Sequence, residues 1–260
     1  MLNSVRARIV FVVVMSVLIF CSWKFNISRY EGMLIVLAVL SYLLLIAYGS
    51  YFIQSNFFIK ALSHGSKEHK AIAITFDDGP MKDFTPRLLD LLKAENVPAA
   101  FFLIGKNIAG NEALVKRMVD EGHVIGNHSY SHTYWFSLNS GNNMLRDLQL
   151  CDEEIIRVTG KKPKFFRPPY GVTNPMVKSA VEKGNYDCIG WSIRTYDTNA
   201  KSAAQLLQKS LKKLSNGDIV LFHDWGQFTI GILSAFIKEA QARGFEIVRV
   251  DDLLNTKAYY

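Results

Sequence analysis

Cysteine is scarce in this chain: Cys21, Cys151 and Cys188 are the only three among 260 residues. None sits in a CxxC or similarly paired spacing, which excludes a disulfide framework and a thiolate zinc site. Cys21 does not read as a lipid-attachment site, because Phe20 places a bulky ring where a lipoprotein signal needs a small residue. No small-x-small cleavage site follows the first apolar run, so that run does not read as a cleaved signal peptide. Internal repeats and low-complexity stretches are absent, which excludes a repeat array. A strong charge surplus is also missing from most of the chain. The formal charge is +7, but residues 1–60 carry +4 of it, leaving 25 basic against 22 acidic residues beyond. A basic N-terminal segment joined to a nearly neutral remainder fits membrane flanking and excludes a nucleic-acid-binding face. A modest attraction to anionic polymers stays open.

What is present is unevenly spread. The hydrophobic share of 49% is ordinary, but much of it lies in the first 60 residues. Residues 9–23 form an apolar and small-residue run between Arg8 and Lys24. Residues 33–53 carry no charge. A membrane helix needs roughly 17–25 residues, so the first run is short and the second long enough. Tyr42, Tyr48 and Tyr51 are placed to sit near headgroups. The expectation is a membrane anchor over residues 1–53, a helical hairpin with membrane lipid as partner; a single span is the alternative. Lys24 and Arg29 favour a cytoplasmic loop and termini outside, whereas Arg6 and Arg8 argue the other way.

Residues 54–70 read as a polar-aromatic linker. From residue 71 the pattern alternates. Short apolar runs at 71–76, 99–104, 124–126, 165–166, 188–193, 218–222 and 246–250 read as strands. Helical stretches at 85–95, 112–121, 144–158, 175–183, 203–214 and 232–243 lie between most of them. Thr85 and Pro86 read as the N-cap and first position of the first of these helices. Such alternation predicts an α/β domain of parallel strands with helical crossovers, and seven strands suit a barrel better than a short open sheet. Residues 255–260 read as a tail.

The unusual polar residues fall at the ends of these runs, where a parallel barrel gathers its site. Asp77 and Asp78 end the first run, in TFDDGP. His128 and His132 follow the third, in HSYSH. Arg167 and Tyr170 follow the fourth, in RPPYG. Trp191 lies in the fifth, and Leu221 and His223 end the sixth, in LFH. Taken singly each is ordinary: an acidic turn, a pair of surface or core histidines, a solvent arginine on a proline turn, a structural histidine. Together they form a site. Histidines four apart converge if they share a face of a helical turn, and two His with one Asp leave an open position for water, the catalytic pattern rather than the closed structural one. A second Asp is then free to accept a proton. Arg167 is a permanent cation that, beside a carboxylate, would hold that group ionised. The turn's N–H groups face a developing oxyanion, and His223 suits proton donation to a leaving amine.

In this order the motifs resemble the polysaccharide deacetylases of carbohydrate esterase family 4, the NodB-homology domain, over roughly residues 71–254. The resemblance implies a deformed (β/α)7 barrel, here preceded by transmembrane helices. It implies Asp77 as general base, with Asp78, His128 and His132 holding a divalent metal, usually Zn2+. It further implies that Arg167 orients Asp77, Tyr170 gives its backbone N–H to the oxyanion, Trp191 and Leu221 line the acetyl-methyl pocket, and His223 is the general acid. One position departs: the family often has Asp three residues after the Trp, where this chain has Arg194, and Asp197 is the candidate replacement from a shifted position. The implied activity is acetate release from an N-acetylglucosamine-containing polysaccharide (peptidoglycan or chitin-like), with the catalytic domain outside the membrane. O-acetyl esters, non-sugar amides and a non-catalytic membrane-bound glycan-binding role are the alternatives. Stacking of sugar rings on Tyr134, Trp135, Trp225 or Phe228 is weighed against ordinary packing.

Overall fold

The structure is a computed structural model that describes residues 3–25 and 28–260. It begins with helices α1 (Ser4–Phe25) and α2 (Ser28–Tyr51), both long and apolar enough to cross a membrane. They pack on each other, with Phe11 stacked on Tyr42 at 4.2 Å between ring centroids. Their large apolar side chains otherwise face outward, Leu44 being 71% exposed. A helix apolar all round has no solvent face, so its stable surroundings are hydrocarbon or another apolar surface.

The remaining elements follow in chain order: β1 (Ala61–Leu62), β2 (Ala71–Asp77), α3 (Thr85–Ala94), β3 (Ala100–Leu103), α4 (Glu112–Asp120), β4 (Val124–Asn127), α5 (Gly141–Thr159), β5 (Phe165–Phe166), α6 (Pro175–Gly184), β6 (Asp187–Ile189), β7 (Ile193–Arg194), α7 (Ala203–Lys212), β8 (Ile219–His223), α8 (Gln227–Ala242), β9 (Glu246–Ile247) and α9 (Val250–Leu253). All strand pairs are parallel, in the order β1-β6-β5-β4-β3-β2-β8-β7, with β9 on β2. The fold is the deformed (β/α) barrel that the alternation and the resemblance lead one to expect, with nine strands among the described residues rather than seven.

Each predicted strand has a counterpart, but the fifth is divided. Residues 187–189 pair with β5 and β1, whereas 193–194 pair with β8. One chain segment thus changes partners across Gly190, Trp191 and Ser192 and links the β5–β6 side of the sheet to its β8–β7 end. Trp191 sits at that crossover.

The alternation along each strand sorts core from site. On β2, Ile72, Ile74 and Phe76 pack outward among the helices in one apolar cluster, with residues such as Leu88 and Phe236. Ala73 faces the barrel interior in the other cluster. Thr75 and Asp77 follow it on that inner face, so a small residue, a hydroxyl and a carboxylate lead to the mouth. β8 repeats the scheme: Ile219 and Leu221 face inward, Val220 and Phe222 outward. His223 then shares the inner face.

The 54–70 segment is packed rather than spacing. Phe57 and Phe58 are buried against Ala7, Tyr42, Leu45 and Ile46, and β1 adds an edge strand to β6. Its burial comes from single aromatics, which carry no periodic signal. The C-terminal residues are tied down too: Ala258 is buried, and the Tyr259 hydroxyl accepts the Ile125 N–H at 2.8 Å. Thr85 does not cap α3, whose N-cap is Phe84. Its hydroxyl instead accepts the Met81 N–H at 2.7 Å and donates to Asp224 Oδ2 at 2.8 Å.

Candidate active site

At the C-terminal mouth of the barrel lies a cleft of about 310 Å³. Asp77, Asp78, His128, His132, Tyr170, Trp191, Leu221 and His223 line it. Of the residues singled out by motif, only Arg167 does not, because it lies beneath the floor, fully buried.

Strand register sets Asp77 and His223 side by side at the mouth. Asp77 and His223 are paired residues on neighbouring β2 and β8, so both side chains leave the same face. Asp78 follows at φ +79°, a left-handed conformation that turns its carboxylate away from the strand continuation. Left-handed residues recur around the mouth at Ser129, His132, Tyr170 and Tyr196. Clustering of this uncommon backbone state at one rim is characteristic of functional sites.

The two histidines converge, but not on a helical turn. The segment from 128 to 133 is irregular, and the left-handed Ser129 and His132 bend it back on itself. His128 Nδ1 donates to the Arg167 carbonyl at 2.7 Å, which leaves Nε2 turned toward the cleft. Asp78 Oδ1 lies 3.5 Å from His128 Nε2 and 3.4 Å from His132 Nε2. Asp78 Oδ2 accepts the Trp225 indole N–H at 2.9 Å. Burial works to raise the Asp78 pKa, but the His128 hydrogen bond and charge, helped by His223 and Trp225, outweigh it and hold the carboxylate well below its usual range. Burial, then the neighbouring His128 charge, push His132 down to about 4, so its imidazole is neutral at pH 7.

Asp77 is fixed from below. Arg167 Nη1 donates to Asp77 Oδ1 at 2.7 Å and to Thr75 Oγ1 at 2.8 Å. Its Nη2 donates to the Gly190 carbonyl at 2.8 Å and its Nε to that of Ile189 at 3.2 Å. The guanidinium also lies 4.0 Å from the centroid of the Phe102 ring. A buried cation this fully bonded cannot swing, so Asp77 Oδ2 is left as the free oxygen, 3.9 Å from His128 Nε2.

Across the cleft, His223 is held by Asp197. Asp197 Oδ1 lies 2.8 Å from His223 Nδ1, and Asp197 Oδ2 accepts the His223 backbone N–H at 2.7 Å. Burial alone would lower the His223 pKa; the Asp197 hydrogen bond and charge, with Asp77 and Asp78, raise it. Asp197 thus partners the histidine in place of a carboxylate at 194. Arg194 points elsewhere, between the rings of Trp191 and Tyr196 at 5.4 and 5.2 Å.

Residues 64–189 match the polysaccharide deacetylase family. The chain is 34% identical to the Bc1960 peptidoglycan N-acetylglucosamine deacetylase, solved in complex with 4-naphthalen-1-yl-N-oxidanyl-benzamide, with a TM-score of 0.71 over 76% of this chain and 94% of that one. The chain belongs to the polysaccharide deacetylase family. It is also 35% identical over 192 residues to the peptidoglycan-N-acetylglucosamine deacetylase PgdA of Listeria monocytogenes, covering 74% of this chain but only 40% of that relative's length. The family holds proteins of both kinds, since BA3943, a family 4 pseudoenzyme from Bacillus anthracis, superposes with a TM-score of 0.70 at 27% identity over 75% of this chain and 68% of that one.

The family implies a metal, and the donor set fits one. Asp78, His128 and His132 each offer a ligand atom, and these atoms all lie within 4.8 Å of one another. Ligands roughly 2.1 Å from a tetrahedral ion stand about 3.4 Å apart, which the two Asp78–His separations match. The carbonyl bonded to His128 Nδ1 is the orienting partner that metal-bound histidines characteristically have.

Several supporting residues were not singled out from sequence. Asn127 Nδ2 donates to Asp152 Oδ1 at 2.7 Å, its Oδ1 accepts the Ser129 N–H at 2.8 Å, and Tyr186 donates to Asp152 Oδ2 at 2.7 Å. Asp147 Oδ1 accepts the Tyr130 N–H at 2.8 Å. Together they brace the histidine loop against α5. Adjacency of Asn127 to His128 was the only available sequence signal; the α5 carboxylates look like an ordinary solvated face.

Proposed function

We propose that this chain hydrolyses acetamide groups on an N-acetylglucosamine-containing polysaccharide of the peptidoglycan or chitin type, releasing acetate and leaving a free amine. The observation that carries the reading is one cleft with a three-ligand cation site on one side of Asp77 and a carboxylate-held imidazole, His223, across from it. The BA3943 comparison makes the test of activity necessary, and the full donor set here supports a working site.

Asp78, His128 and His132 hold the metal, with zinc as the ion that suits two imidazoles and a carboxylate. When bound, it supplies a Lewis acid for the acetamide carbonyl and lowers the pKa of a bound water. Asp77, pinned through Oδ1 by Arg167, uses Oδ2 to take a proton from the attacking water. The Tyr170 backbone N–H, in the proline-stiffened turn, stabilises the developing oxyanion. Trp191 and Leu221 wall the space for the acetyl methyl. His223, protonated and steadied by Asp197, gives its proton to the departing nitrogen. The α1–α2 hairpin tethers the domain to the extracytoplasmic face of a cell membrane, where such polymers lie.

The test is acetate release from a panel of N- and O-acetylated glycans, with and without added divalent metal, by the full chain and by Asp77→Asn. Metal-dependent release from N-acetylated glycans that Asp77→Asn abolishes supports the reading. Full activity in that variant overturns it, and release from O-acetyl esters alone reassigns the substrate.

A further inference from the structure

A second cavity, of about 770 Å³, opens beside the catalytic cleft and shares Trp191 and Arg194 with it. Its wall carries Arg194, Lys209, Lys212 and Lys213 against a single carboxylate, Asp218. That carboxylate is already engaged, Asp218 Oδ2 accepting the Ser215 N–H at 2.7 Å. None of the four cations has an ion-pair partner among the described residues. The two that lie within α7, Lys209 and Lys212, occupy its last turn, where the helix dipole tolerates positive charge, but the dipole does not neutralise four charges around one hollow. A cavity of this kind is complementary to phosphate oxygens.

Its remaining wall comes from the anchor. Tyr51 and Phe52, at the end of α2, line the same cavity. The helix end is built into the domain: Thr173 donates its N–H to the Ser50 carbonyl and its hydroxyl to the Gly49 carbonyl, both at 3.0 Å. Gln54, just beyond, donates to the Trp191 carbonyl at 2.8 Å. Thr173 lies two residues past the RPPYG turn and Trp191 lines the catalytic cleft, so the end of the apolar helix is bonded beside that cleft. A second flank agrees. Asn174 bonds the Ser137 carbonyl, and beside Ser137 the side chains of Tyr134, Trp135 and Leu138 are 73%, 65% and 72% exposed. Exposed aromatics of this type settle at a membrane–water interface.

We propose that the basic cavity is a phosphate subsite, and that the substrate is an N-acetylated glycan still joined through phosphate to a membrane lipid. The phosphate rests among Arg194 and the three lysines at headgroup level, the lipid chain lies along α2, and the sugars pass Trp191 into the catalytic cleft. This rests on the deacetylase reading and on α1 and α2 lying in a bilayer.

The test uses the full chain in phosphatidylcholine nanodiscs and a polyprenyl diphosphate-linked N-acetylated disaccharide, against the same disaccharide free. Binding is measured as well as acetate release. The expected result is a preference of at least about tenfold for the lipid-linked form in both readouts, falling several-fold in a Lys209→Gln/Lys212→Gln/Lys213→Gln variant. Equal binding of the two forms, or a preference that the triple variant keeps, overturns the subsite. If phosphatidylglycerol displaces the lipid-linked glycan as well as unlabelled glycan does, the cavity is a headgroup dock and the substrate assignment falls. Binding needs no turnover, so preferred binding without acetate release from either form sinks the catalytic reading and leaves the subsite standing.

Discussion

Asp197 grips His223 at two points, its Oδ1 facing Nδ1 at 2.8 Å and its Oδ2 accepting the backbone N–H at 2.7 Å. Thr229 adds a hydroxyl donor to that same Oδ2 at 2.6 Å. The pairing fixes both the orientation and the proton affinity of the imidazole. Because the pair raises the His223 pKa, the protonated acid persists to higher pH than an isolated histidine would. With His223 as the proposed acid, activity should fall as pH climbs through that raised value. Asp197→Asn removes the charge and lowers the pKa, so the alkaline limb of the kcat/KM profile should move to lower pH. The rate at pH 8 should fall by roughly 100-fold, in the range of lost general-acid catalysis. An alkaline limb that stays in place in this variant means another group is the acid.

Metal content offers an independent check. Asp78→Ala removes the only oxygen from the three-ligand set. Divalent metal affinity should drop at least roughly 100-fold, with purified variant carrying well under one ion per chain by elemental analysis. Chelator treatment of the wild-type chain should abolish acetate release, and stoichiometric zinc should restore it. Retention of metal by Asp78→Ala would place the ion elsewhere.

The polar residues at strand ends were readable in the sequence because each breaks an apolar run: Asp77 after Phe76, His223 after Phe222. The route by which they meet was less so. His128 and His132 have the spacing of a helical turn, yet they converge through left-handed Ser129 and His132, and positive φ at a serine has no sequence signature. Residues 188–193 read as one strand because nothing in Gly190-Trp191-Ser192 announces a change of partners. Phe57 and Phe58 looked like linker aromatics because their burial depends on Ala7 and Tyr42, from the two N-terminal helices. Asp197 was found only as a stand-in, since proximity to His223 is a property of the fold.

Gly171 tests how tightly the RPPYG turn, proposed to face the oxyanion, is fitted. Its φ is +72°, and a Cβ there would lie 2.2 Å from Trp191 Cη2. Gly171→Ala is thus strained in backbone and blocked by a ring that is itself buried. A destabilisation of about 1–3 kcal/mol is expected by thermal or denaturant unfolding, with a larger proportional loss of activity as the turn shifts off Trp191. Gly110→Ala is the comparison: it too has positive φ, at +81°, but nothing lies within 4 Å of its Cβ position. It should lose stability and leave acetate release unaffected. Equal activity losses in the two variants would dissociate the turn from Trp191.

Stability should also depend on pH through a residue remote from the cleft. His123 is buried, accepts the Ala99 N–H at Nδ1 at 3.2 Å, and has no partner at Nε2. Burial pushes its pKa down to about 4 from an unfolded value of 6.5. Between those values the unfolded chain binds a proton that the folded chain refuses, so folding stability rises with pH across this window. The contribution is fully present above 6.5 and is lost as pH falls toward 4, amounting at most to about 3 kcal/mol. Asp152, raised to about 6, works in the opposite sense as pH rises from 3.8, so the wild-type curve alone does not isolate the histidine. The difference between wild type and His123→Gln does. Denaturant unfolding at pH 4.5 and 7 should show the variant losing less stability on acidification than the wild type; equal losses would mean that His123 is protonated in the folded state or open to solvent.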